Sequence, residues 1–207
     1  MRLRARRPHI VLAAGLCAAC AGGEPATPPA AAPSAARPTF DSSDAARQAE
    51  VDSMLRAFRA GLPEPATLRG GEPTPEAAAR ALVRALAERD TATLRRLVVD
   101  RAEFAWLYFP TTRIARPPYG IDPALLWLQL TANTERDVRK AFDAVPAGAA
   151  FIALRCPEPP VVEGDNRLHE RCLTAVRRGA RTDTLSLFGT IVERGGRVKF
   201  LSYANRL

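Results

Sequence analysis

GTIVERGGRVKFLSY, running from Gly189 to Tyr203, is the stretch on which the fold turns. Two runs with the period of strands flank Gly195-Gly196, and a glycine pair in that place marks a tight hairpin, because glycine takes positive φ without steric cost. Outward from it, the strand period also covers Ala150 to Arg155, Arg171 to Arg177 and Thr184 to Glu193, with Arg197 to Ala204 closing the series. Before Gly148 the apolar spacing is helical.

Asp122-Pro123 starts a long helix reaching about Val145, the aspartate as cap and the proline in the first turn. Thr74-Pro75-Glu76-Ala77 starts an earlier helix in the same way and turns Ala78, Leu82, Ala85 and Leu86 inward. Asp90 and Thr91 stop that helix and cap a shorter one bearing Leu94, Leu97 and Val98. Earlier still, Asp44 to Gly61 sets Val51, Met54, Leu55, Phe58 and Leu62 on one helical face, before a Gly/Pro-rich break from Gly61 to Pro75. That face is expected to dock on the domain, with contact to a partner as the alternative. Helices first and strands last predict an α+β domain, with N-terminal helices and one long helix packed on a curved antiparallel sheet. The chain then divides into a leader over 1–20, a tether over 21–42, an accessory helix and loop over 43–73, and the α+β domain over 74–207.

The phrase ALAERDTATLRRL, residues 85–97, with an aspartate between two helices, resembles the opening helix pair of the nuclear-transport-factor-like or SnoaL-like domains. Gly189 to Tyr203 resembles their closing hairpin, and the likeness covers about residues 74–205. Two departures stand out: a Pro-rich insertion from Cys156 to Cys172 and a longer helix from Asp122 to Val145. The resemblance implies a cone-like fold whose interior binds ligands. It also implies relatives that are cyclases and isomerases with a carboxylate base, a role for which Glu103, Asp122 and Asp137 are the candidates here.

At the N-terminus, Arg2, Arg4, Arg6 and Arg7 precede an apolar run from about Ile10 to Ala19, too short for a permanent membrane span. This is the pattern of an export signal peptide. Ala19 before Cys20 resembles a bacterial lipobox, although Cys17 stands where leucine is usual. Cleavage after Ala21, yielding a soluble protein, is the alternative. From Ala21 to about Thr39 the residues are mostly Ala, Pro, Gly and Ser, which offer nothing to offset the entropy of ordering; a tether of roughly 20 residues reaches on the order of 50 Å. The formal net charge of +8 falls to +4 when the four leader arginines go, and Lys140 and Lys199 are the only lysines. So mild a balance argues against nucleic acid as a partner and leaves attraction to an anionic membrane open.

Two cysteines remain in the domain, Cys156 ending one strand and Cys172 starting the next. An oxidising compartment favours a disulfide between them, worth about 3 kcal/mol in the chain-entropy account. The alternative is a Cys172 nucleophile with His169 as base, but residues three apart on a strand point to opposite faces. His169 is the one histidine outside the leader and reads as a loop residue, so a His-rich zinc site is excluded. No cofactor or metal is implied. The signatures of serine hydrolases, transpeptidases, metalloproteases and phosphate loops are missing.

One constellation suggests binding. Phe104, Trp106, Tyr108, Phe109, Tyr119 and Trp127 lie close in sequence to Arg113 and Arg116. Trp106, Tyr108, Tyr119 and Trp127 with the two arginines make a candidate pocket for an apolar ligand carrying an anionic group. Alternatively the aromatics are core between the long helix and the sheet, with both arginines in solvent. The function expected first is an exported, membrane-anchored envelope lipoprotein with a non-catalytic domain that binds a ligand or an envelope partner. A SnoaL-like isomerase or cyclase, and a structural spacer, are the other two classes.

Overall fold

The computed structural model describes residues 42–204 and Leu207. The leader, Cys17, Cys20 and the tether up to residue 41 lie outside the described residues. The fold is α+β, with helices packed on antiparallel strands.

Helix α1 (Ser42–Arg59) is followed by α2 (Pro75–Glu88) and α3 (Thr91–Leu97). The capping signals act as read: Thr74 Oγ1 accepts from the Ala77 N–H at 3.1 Å, and Asp90 Oδ1 accepts from the N–H groups of Ala92 and Thr93 at 3.1 and 3.0 Å. Next comes α4 (Arg101–Glu103), which runs into a π-helical turn over Phe104–Tyr108 and two 3-10 turns, Phe109–Thr111 and Arg113–Ala115. Asp122 Oδ1 then accepts from Ala124 N–H at 2.7 Å and starts the long α5 (Pro123–Ala144).

Seven strands follow: β1 (Ala150–Arg155), β2 (Val161–Glu163), β3 (Asn166–His169), β4 (Leu173–Arg178), β5 (Arg181–Leu185), β6 (Ile191–Arg194) and β7 (Arg197–Phe200). They form two sheets, ordered β1-β4-β5 and β2-β3-β6-β7. The registers show that these are two halves of one meander. The ladder pairing Thr174 with Leu185 continues, with one extra residue in the 186–190 segment, into the ladder pairing His169 with Ile191. On the other flank, Arg155 opposite Leu173 leads to Val161 opposite Leu168, again with one extra residue. An extra residue on one strand bends and twists a ladder, and both bends fall together. Cys156 and Cys172 stand opposite each other at this break and are joined by a disulfide, with their Cα atoms 4.1 Å apart.

Two sequence expectations change here. The expected strand from Thr184 to Glu193 is split into β5 and β6, and the Pro-rich insertion is a β2-β3 hairpin rather than a loop. His169 accordingly lies in a strand. The hairpin docks closely: Gly164, at its turn with φ +61°, sits where a Cβ would come within 2.6 Å of the Thr111 side chain. Asn166 Nδ2 also donates to Leu107 O and Thr111 Oγ1, both at 2.8 Å.

The core has two parts because the four-stranded half is covered on both faces. Adjacent residues on a strand face opposite ways. Ile191 packs with α2 and α3 through Leu82, Leu86, Leu94 and Leu97, while Val192 packs with Val51, Leu55, Phe58, Phe104 and Phe109. Thus α1 docks on the domain. The three-stranded half is covered on one face, with Thr174 and Val176 buried and Leu173 exposed. The helix buried most deeply on the sheet is α2, with seven buried residues; α5 adds Ala141 and its cap Val145 and leaves Leu125 and Leu128 exposed.

A candidate ligand-binding groove

The arrangement of α3, α5 and the end of β7 leaves an open cleft of about 580 Å³. From α5 it takes Trp127, Leu130, Thr131, Thr134, Val138 and Phe142; apart from the neighbours Leu130 and Thr131 they follow one another at three- or four-residue steps, which keeps them on one helical face. The facing wall is Thr91, Leu94, Arg95 and Val98, and the floor includes Leu201 and Tyr203. Tyr203 is locked by its hydroxyl, which donates to Leu94 O at 2.6 Å, and burial pushes its ionisation well above the usual tyrosine range. A predominantly apolar cleft with a few polar groups at its edge is the usual form of a small-ligand site.

Charge at the edge comes from Arg95, Arg101, Asp100 and Glu135. Asp100 is committed twice: its Oδ2 pairs with Arg69 at 2.9 Å and its Oδ1 accepts from the Glu103 N–H at 2.8 Å. Arg101 lies over the Phe58 ring, 4.5 Å from its centroid. A larger cavity, about 710 Å³, lies where the two half-sheets join and is lined by Glu170, Arg171, Thr184, Ser186 and Thr190 among others, a more polar surface to which none of the aromatic residues from Phe104 to Trp127 contributes.

Of the six residues singled out from the sequence for binding, only Trp127 lines the groove. Tyr108 is in the core beside Phe104, with ring centroids 5.9 Å apart, and desolvation raises its ionisation to about 12. Trp106 lies under the Arg59 guanidinium at 4.0 Å, and its Nε1 is buried without a hydrogen-bond partner. Tyr119 is exposed on the Pro-rich loop, and Arg116 is exposed as well. Arg113 is largely in solvent, 3.8 Å from Glu163. Phe104, Tyr108 and Phe109 are thus core, in a layer over the four-stranded half-sheet that α1 covers and against which Leu126, Trp127 and Leu130 of α5 also pack.

The three carboxylates considered as bases lie outside the groove lining. Glu103 is fully buried; its Oε2 accepts from Lys199 Nζ at 2.7 Å and from the Asp100 N–H at 2.9 Å, and its Oε1 accepts from the Arg69 N–H at 2.6 Å. Asp122 caps α5. Asp137 is buried between Arg136, at 2.8 Å, and Lys140, at 3.2 Å. Cys172 is in the disulfide, which removes the thiol nucleophile, and His169 Nε2 lies 2.8 Å from Glu193 Oε2. Among the described residues, no group of three or more His, Cys, Asp or Glu converges as metal ligands, and no helix is long and apolar enough to cross a membrane.

Comparison with known proteins finds no matching family model, no matching curated protein and no matching solved structure. The groove's other residues were missed because their spacing on α5 reads equally as an ordinary core stripe. Arg95 and Arg101 carry no sequence signal of their own among so many arginines.

Proposed function

We propose that this chain is an exported envelope lipoprotein, anchored through Cys20, whose folded domain binds an apolar ligand carrying an anionic group and performs no chemistry on it. The observation that carries the binding role is the groove of about 580 Å³ between α3 and α5, apolar within and edged by Arg95 and Arg101. The anchoring rests on the basic and apolar leader ending in Ala19-Cys20 and on the Ala/Pro-rich tether behind it. The fold is read as a relative of the SnoaL-like domains. A capped helix pair, a long helix and a bent antiparallel meander closed by a Gly-Gly hairpin support that reading.

Binding is tested with anilinonaphthalene sulfonate, an apolar anion whose fluorescence rises on burial. Val98→Trp and Val138→Trp fill the cleft from opposite walls and are expected to weaken its binding at least about tenfold with the circular dichroism unchanged. Unchanged affinity in both variants sinks the ligand reading. Anchoring is tested separately by the mass of the protein taken from its native membranes. A lipid-modified chain beginning at Cys20 supports it, and an unmodified chain beginning at Gly22 overturns it.

A further inference from the structure

We infer that the groove is shaped for one extended acyl chain ending in a carboxylate, an inference that rests on the ligand-binding reading above and names its ligand class. Trp127 and Phe142 both line the groove and stand 15 residues apart on α5 (142 − 127), so at about 1.5 Å per residue it runs roughly 22 Å along the helix. A volume of about 580 Å³ over such a length leaves a mean section of roughly 26 Å². That is long and narrow. A rigid fused-ring ligand of equal volume is shorter and wider, whereas a polymethylene chain follows the groove and meets apolar carbon along its length.

Ring contacts establish which end is which. Arg101 stacks on Phe58, Phe58 meets Phe104 at 5.8 Å, and Phe104 meets Trp127 at 5.2 Å, so Arg101 belongs to the Trp127 end. At the opposite end Arg89 stacks on Phe142, 4.6 Å from its centroid. Neither Arg95 nor Arg101 forms an ion pair among the described residues, while Asp100 is held by Arg69 and Glu135 is exposed. The lining therefore offers guanidinium charge to an anion, and the carboxylate is assigned to the Arg101 end, with Arg95 adding to the field.

The test is equilibrium binding to the full mature chain, read by tryptophan fluorescence. The probes are straight-chain carboxylates of about 8 to about 20 carbons, the matching primary alcohols, and cholate as a fused-ring carboxylate. Affinity for the acids is expected to tighten about three- to fourfold per added methylene until the chain spans the groove, and then to level. Arg101→Gln should remove the preference for acid over alcohol and leave the chain-length slope intact. Leu130→Trp, on α5's lining one turn in from Trp127, should move the plateau to shorter chains. An affinity independent of chain length, or cholate binding as tightly as the best straight-chain acid, overturns this inference and leaves the ligand reading standing. Binding of none of the probes to the wild-type chain overturns both.

Discussion

Lys199 Nζ lies 2.7 Å from Glu103 Oε2, and both side chains are almost wholly removed from solvent. This pair ties β7 to the start of the aromatic turn that carries Phe104. The same carboxylate completes a capping box with Asp100 and receives the Arg69 N–H. A buried charge loses its hydration, so it is tolerated only while its partner stays in place. Lys199→Met is therefore expected to cost roughly 3–5 kcal/mol in denaturant unfolding, because it strands the Glu103 carboxylate. The double change Glu103→Gln with Lys199→Met should recover part of that loss, since the amide side chain keeps an acceptor and leaves no unpaired charge. A double variant no better than the single one would show that the packing of Lys199, rather than its charge, matters.

The disulfide holds the point where both ladders bend. Replacing Cys156 and Cys172 together by alanine is expected to cost about 3 kcal/mol, through the freedom returned to the unfolded chain. Its local effect should show in hydrogen exchange. Protection should fall first at the β2-β3 hairpin and at Leu173, and least at Val198 and Phe200, whose strand is buried between two layers. Uniform loss across all strands would mean that the bond stabilises the domain without specifically securing the bend.

Tyr108 should make the protein sensitive to alkali. Burial raises its ionisation from 10.0 to about 12, against a smaller opposing effect from Thr112. The folded state thus favours the neutral phenol, and the associated stability is complete below pH 10 and is lost as the pH rises toward 12. Unfolding curves between those limits should show wild type weakening more steeply than Tyr108→Phe. Parallel pH profiles for the two proteins would exclude Tyr108 as a source of that sensitivity.

Arg89 ends α2 in the left-handed region, with φ +58°, where glycine is the usual residue. Its guanidinium also covers Phe142 at 4.6 Å. Arg89→Gly relieves the backbone and loses the stack, two effects of about 1 kcal/mol each with opposite sign, so thermal stability should stay close to wild type. Arg89→Ala keeps the strained backbone and also loses the stack. It should fall about 1 kcal/mol below Arg89→Gly, and equal stabilities would show that the αL position carries no strain here.

Local chemistry told the truth in the sequence. Thr74-Pro75 and Asp122-Pro123 start helices, Asp90 separates two of them, Gly195-Gly196 turns the last hairpin, and Cys156 bonds to Cys172. Each is determined within a few residues, or by the pairing of two thiols with no other partner in the domain, and α+β follows from their order. The β2-β3 hairpin escaped because its strands are short and follow a run of prolines, so its pairing depends on Asn166 and Gly164 meeting the aromatic turn. The fate of the aromatics depended on something still less local. Phe104 and Tyr108 have the same character whether they line a pocket or fill a core, and only the docking of α1 on the second face of the sheet made them core. That docking, with α2 packed on the opposite face, leaves the side of α5 from Trp127 to Phe142 only partly covered. A helix's apolar stripe is written in its sequence, but whether the stripe is covered depends on which neighbours arrive, and that is decided by the packing of the whole chain.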